Sequence, residues 1–217
     1  MNNKALLLSV SYTHLRAHET VLDLVCRLLL EKGIVFEEIN QSPSQEDGYL
    51  GKSPMGKVPC LETEAGYLTE TSVILEYLDD LGEGPSFYPE DRFQKAKVRE
   101  LIRYLELYIE LPARRLYGEV FFGKPENEVL QAEVKSILEK GFTALYRIAK
   151  FAPYLAGDQV TYADFYAHFA LSPVTRVCKK VWGWDVRRDT PAFKTLIDLL
   201  SERESVIRVQ ADQAADS

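Results

Sequence analysis

Histidine, cysteine, methionine and tryptophan are scarce in this chain: three, three, two and two among 217 residues. The cysteines, Cys26, Cys60 and Cys178, are odd in number and form no C-x-x-C pair. That pattern indicates neither a disulfide framework nor a zinc site, and it fits reduced thiols in the cytoplasm. Basic runs are missing and the net charge is −7. Nucleic acid is therefore not an expected partner, because phosphate binding needs clustered Lys and Arg. No apolar run approaches the length of a membrane span. The run Ala5–Val10 is too short for a secretory h-region, which gives the expectation of a mature cytoplasmic start. There are no internal repeats.

What is present changes character near residue 85. Before it, short apolar runs alternate with turns. Lys4–Val10, Ile34–Ile39 and Lys57–Thr63 read as strands, and a fourth follows the bend at Gly66. "SVILEYLDDL" then has the period of a helix. "GEGPSFYPED" (Gly82–Asp91) holds two Gly and two Pro and reads as a linker centred on 84–90. Beyond it the pattern is helical throughout. Val98, Leu101, Ile102, Leu105, Tyr108 and Ile109 form one stripe, which Pro112 interrupts or kinks. Val134, Ile137, Leu138, Leu145 and Ile148 form a second. "TPAF" puts Thr190 at an N-cap and Pro191 at the first position of a last helix. The expected architecture is a small α/β domain over 1–83 and an all-helical domain over 91–217, with a cleft where their faces meet.

Three stretches bear on chemistry. In "KVPCLE", Pro59 sits just inside a strand, where it has no N–H for the ladder; either the strand is an edge or the bond before Pro59 is cis. A cis bond would turn the Val58 backbone outward, free for an extended peptide ligand. In "TETS", Glu70, Thr71 and Ser72 open a helix. The exposed N–H groups and hydroxyls there suit a carboxylate and Glu70 suits an ammonium, while a plain N-cap explains the same residues. In "YLAGDQVTYADF", Thr161 and Asp164 have capping-box spacing, a structural device.

Taken together, "SP-x-GKVP", "E-T-x-V-I-x-x-YL" and "LAGD-x-x-T-x-AD" resemble the glutathione transferase superfamily in order and spacing, from about Gly33 to the last helix. The resemblance implies a thioredoxin-like N-terminal domain, an all-α C-terminal domain, a homodimer and glutathione as co-substrate, with no metal. It implies that Val58 pairs with the cysteinyl backbone of glutathione beside a cis Pro59. Glu70 and Thr71 then hold the γ-glutamyl group, with Thr71 where the family usually has Ser. Lys57 either meets the glycyl carboxylate or is a solvated lysine. The activity implied is joining of the glutathione thiolate to a small apolar electrophile; a non-enzymatic binding member is the alternative. Residues 1–83 carry six Lys plus Arg against fourteen Asp plus Glu, so an anionic ligand must be held by local dipoles and hydrogen bonds. Tyr104, Tyr108, Tyr117, Phe121 and Phe122 form an aromatic stripe that lines either a pocket for the electrophile or the core.

The family's thiol-activating residue lies between the first strand and the first helix. Here that place is filled by "VSYTHLRAHETVLDLVCRLLLEK", and the family pattern is missing. Ser11 and Tyr12 are of the right type in the wrong company. His14 and His18 share a helix face, but no third ligand has matching spacing and Glu19 is not placed as in H-E-x-x-H. The stretch instead resembles a translated sequencing adapter. One constant part of a transposase-type library adapter encodes VSYTHLRAHE, and the other encodes LVCRLLLE. The variable index between them has the length that keeps the frame. Residues 10 to about 32 are therefore read as an adapter artefact and the catalytic residue as unknown. The stretch is compatible with folding: Val21, Leu24, Val25 and Leu28 fall on one face, and Gly33 follows as a C-cap.

Overall fold

The computed structural model of the protein describes residues 6–10, 21–204 and 207. Two compact units divide the chain: one runs to Ser86 and takes in Arg203, and the other spans Phe87–Glu202. Among the described residues no helix is long and apolar enough to cross a membrane.

The first unit has the expected thioredoxin-like arrangement. Strand β1 (Leu6–Val10) runs parallel to β2 (Phe36–Asn40), and α1 (Val21–Glu31) lies in the connection between them. A parallel pair needs such a crossover. Strand β3 (Cys60–Thr63) is antiparallel to β1, and β4 (Gly66–Thr69) is antiparallel to β3, giving the order β2-β1-β3-β4. A single turn, α2 (Asp47–Leu50), follows β2, and α3 (Thr71–Asp80) follows β4. The four residues of α2 are too few to carry a hydrophobic period, so sequence reading missed it.

Helix α1 places Leu24, Val25, Leu28 and Leu29 at zero exposure. Burying four such side chains supplies roughly 6–12 kcal/mol gross. The segment is thus part of the core whatever its origin; it packs with Ile34, Leu61, Ile74 and Leu78. Gly33, at φ +66, ends the helix in the left-handed region, and Ile34 N–H closes onto Leu29 O at 2.9 Å. That closure starts the second strand at Phe36 rather than at Ile34. Ser11, Tyr12, His14 and His18–Thr20 lie outside the described residues.

The second unit is helical. Helix α4 (Arg92–Leu105) starts where Asp91 Oδ1 accepts the Gln94 N–H at 2.9 Å. It runs into a π-turn, Glu106–Glu110, followed by α5 (Leu111–Arg114). Pro112 is the reason: it has no N–H to return to the Tyr108 carbonyl, so the ladder before it widens. Glu110 ends the π-turn buried, with Oε2 accepting the Tyr166 hydroxyl at 2.9 Å and Oε1 accepting Arg114 Nε at 3.0 Å. Next come α6 (Tyr117–Phe121), α7 (Glu128–Ile148), α8 (Tyr162–Trp182), α9 (Val186–Asp189) and α10 (Pro191–Ser201). Helix α7 approaches the π-turn at Gly141, where an added Cβ would meet the Tyr108 carbonyl oxygen at 2.3 Å.

The Thr161–Asp164 box forms as expected. Asp164 Oδ2 accepts both the N–H and the hydroxyl of Thr161, at 2.7 and 2.9 Å, and Oδ1 accepts the Leu155 N–H at 2.7 Å. Burial pushes the Asp164 carboxyl up to about 6 against these hydrogen bonds, which pull it down. Thr190 stands at the start of α10 as expected, but its hydroxyl does not cap the helix; it bonds the Tyr146 hydroxyl at 2.6 Å.

Candidate functional site

The pairing of β3 with β4 decides which residues share an end of the sheet. The ladder closes with Cys60 opposite Thr69. Val58 and Pro59 lead into β3, and Glu70 and Thr71 lead out of β4, so both pairs lie just beyond the same end. The Val58–Pro59 peptide is cis. The strand expected from Lys57 begins only at Cys60, and Lys57 lies in the irregular chain before it, exposed. Pro59 explains the late start, since it has no N–H to add to a ladder.

Glu70 occupies the N-cap position of α3 at φ 65, ψ 115. That is left-handed backbone in a non-glycine residue, a conformation costing of order 1–3 kcal/mol and concentrated at functional sites. Its side chain does not cap the helix and is exposed, while its carbonyl accepts the N–H groups of Val73 and Ile74 at 3.0 Å each. Thr71 and Ser72 are both buried in the first turn. Their N–H groups lie where intrahelical partners end and the helix dipole is positive. The end of the sheet thus combines backbone donors, a hydroxyl and a carboxylate, a set able to hold a zwitterionic amino-acid group.

The turn before Val58 is held by side chains that sequence reading did not single out. Ser53 Oγ donates to the Lys57 carbonyl at 2.7 Å and accepts the Lys57 N–H at 3.1 Å. The Tyr49 hydroxyl donates to the same carbonyl at 3.0 Å. Ser53, Pro54, Met55 and Gly56 have the residue signature of a tight turn, closed by Gly56 N–H on Ser53 O at 2.7 Å. Gly56 is at φ +63, and a Cβ there would lie 2.1 Å from the Ser44 carbonyl oxygen. The S-P-x-G string was the available signal; the role of Ser53 within it needed the tertiary contact. Cys60 is buried beside this turn, and burial pushes its thiol up, away from reactivity.

In the second unit the aromatic stripe divides. Tyr117 is buried and meets the Phe121 ring edge-on at 5.1 Å, so it belongs to the core, and burial keeps its phenol well above the usual range. Tyr108 is 47% exposed, and with Leu107, Leu111 and the half-buried Tyr104 it forms an open apolar face along the π-turn. The Tyr104 and Tyr108 rings lie 5.1 Å apart, edge to face. Among the described residues no group of three or more His, Cys, Asp or Glu is placed to hold a metal ion.

Comparison with known proteins gives one consistent family. The family model for the glutathione S-transferase N-terminal domain matches residues 23–86. A "Glutathione S-transferase" of Pseudomonas putida strain F1 is 45% identical over 187 residues, covering 86% of this chain and 85% of that protein. The GST-like protein YibF of Escherichia coli strain K12 is 30% identical, over 86% of this chain and 92% of its own length. Among solved structures, poplar glutathione transferase F1 superposes with a TM-score of 0.77 at 21% identity, covering 98% of this chain and 99% of that one. A glutathione S-transferase of Methylobacterium radiotolerans, solved with glutathione sulfonate, has a TM-score of 0.76 at 21% identity over 95% of this chain and 94% of its own. These last two likenesses speak to the fold.

Proposed function

This chain belongs to the glutathione S-transferase family, and from that membership we propose that it binds glutathione at the β3–β4 end of its first unit. There it would join the thiolate to small apolar electrophiles. The observation that carries the site is the common exit of Val58–Pro59 and Glu70–Thr71 from one end of the ladder. In this reading the Val58 backbone pairs with the cysteinyl residue. Thr71 and the α3 N-terminus take the γ-glutamyl carboxylate. Glu70 takes the γ-glutamyl ammonium, and the exposed Lys57 takes the glycyl carboxylate. The acidic surroundings leave these local contacts to supply the affinity. The electrophile packs on the open face of Tyr104, Leu107, Tyr108 and Leu111. The working form is a cytoplasmic homodimer, bounded along the chain as the composition suggests: 1–83, a linker at 84–90, and 91–217.

Conjugation requires the thiol to ionise, and in this family a donor beside the sulfur favours the thiolate. We further propose that residues 10–32 are a translated adapter standing where that donor belongs; the codon correspondence on both sides of the index supports it. This favours a second reading for the chain as it stands: glutathione binding with slow conjugation. Losing one preorganised donor commonly lowers rate by a factor of roughly a hundred or more. The test is retention on immobilised glutathione, followed by a titration of the bound thiol. Retention with a thiol pKa near that of free glutathione is expected. Passage straight through the column refutes the binding site, and a thiol titrating well below its free value refutes the loss of the donor.

A further inference from the structure

We propose that Tyr49 and Ser53 are positioning residues that aim the Val58 N–H at the ligand, an inference that rests on the glutathione reading above. The Lys57 carbonyl and the Val58 N–H belong to one planar group and, in a trans peptide, point in opposite directions. Fixing the carbonyl therefore fixes the N–H. The only cis bonds among the described residues precede Pro59 and Pro153, so the Lys57–Val58 bond is trans. Its carbonyl accepts two hydroxyl donors, Ser53 Oγ at 2.7 Å and Tyr49 Oη at 3.0 Å. The Lys57 N–H, on the preceding peptide plane, is held by the same Ser53 oxygen at 3.1 Å. Two successive planes are thus set by two side chains rather than by a strand.

The braces are themselves fixed. Tyr49 is 7% exposed and Ser53 1%, so these bonds do not compete with bulk water. The Ser53 N–H donates to the Tyr49 carbonyl at 2.8 Å, which ties the two residues to each other. On the far side, Ser44 N–H donates to Gly56 O at 3.0 Å and leaves no room for a side chain at Gly56. With its carbonyl turned into this dry bracket, the Val58 N–H faces away from Tyr49 and Ser53. That is the orientation a β-type pairing with an extended peptide uses.

The test uses the full chain, unaltered and as Tyr49→Phe and Ser53→Ala. Tyr49→Phe removes a single oxygen and keeps the test valid if Ser53→Ala does not fold. Reduced glutathione is titrated while the Val58 and Thr71 amide resonances are followed. For Tyr49→Phe the expected result is an affinity loss of about three- to tenfold, the worth of one buried hydrogen bond. The Val58 response should shrink while the Thr71 response persists at saturation. A merely structural role would diminish both responses together, and that outcome overturns the proposal. So does binding within about twofold of the parent with the Val58 response intact. If the unaltered chain shows no glutathione-dependent shift at either amide, the glutathione reading fails and this proposal fails with it. If the parent responds and the variants match it, only the positioning role falls.

Discussion

Replacing Lys32 by Met tests how the first unit is closed. The Lys32 side chain is 1% exposed. Its ammonium lies 3.3 Å from Asp79 Oδ1 and donates to the carbonyls of Glu83 and Pro85 at 3.2 and 3.0 Å. One buried cation therefore joins the end of α1, the last turn of α3 and the chain leaving it. Gly84 crosses so closely that a Cβ there would meet Lys32 Cα at 2.6 Å. Met preserves most of the stem's packing, so the loss is electrostatic rather than a cavity. Removing one partner of a buried pair costs about 3–5 kcal/mol, because the other charge stays behind. Asp79 keeps the Ser86 hydroxyl at 3.0 Å, which favours the lower end, about 3 kcal/mol. In a chain of this size that corresponds to a fall of roughly 6–12 °C in Tm. Urea unfolding followed by circular dichroism reads the change, and a cycle with Asp79→Asn isolates the pair. A cost below about 1 kcal/mol, the level of an exposed pair, would refute the buried-clamp reasoning.

Two further outcomes are expected. Gly141→Ala adds helix propensity worth roughly 1 kcal/mol, but the new Cβ meets the Tyr108 carbonyl oxygen at 2.3 Å, a backbone atom that cannot rotate aside. A net loss of about 1–3 kcal/mol follows, read as a lower urea midpoint; a higher midpoint would show that α7 and the π-turn have room between them. Asp164 supplies a pH dependence. Its native carboxyl titrates at about 6 against an ordinary 3.8, so between these values the folded state holds a proton that the unfolded state releases. Stability from this group therefore falls as pH rises from about 4 to about 6 and is flat beyond, by roughly 3 kcal/mol in all. Asp164→Asn does not titrate, so the difference between the two stability–pH curves should carry this slope; parallel curves would contradict it.

Much of this protein was legible in the chain because it rests on local physics. The alternation of short strands and turns before residue 85 and the helical periods after it are properties of neighbouring residues. So are the Thr161–Asp164 box, whose partners are three residues apart, and the turn string around Ser53–Gly56. The family was legible by a different route, the resemblance of the motifs around Pro59, Glu70 and Asp164 to those of glutathione transferases. The proposal that 10–32 is a translated adapter rests on codon correspondence and takes nothing from the physics of the stretch, since its helix buries Leu24, Val25, Leu28 and Leu29.

Other features depended on what lies opposite a residue, which no periodicity encodes. Tyr108 and Tyr117 belong to one aromatic stripe, yet the first is exposed and the second is core. The β3–β4 register decided that Val58 and Thr71 leave the same end of the sheet. Arg203 returns to pair with Glu31 through two bonds of 2.9 and 2.8 Å, across 172 residues of sequence. Lys57, read from its surroundings as the start of a strand, lies outside any strand, with its carbonyl taken by Tyr49 and Ser53. A backbone group bonds whichever donor the fold brings within about 3 Å, and that choice is made by packing, after the local propensities have done their part.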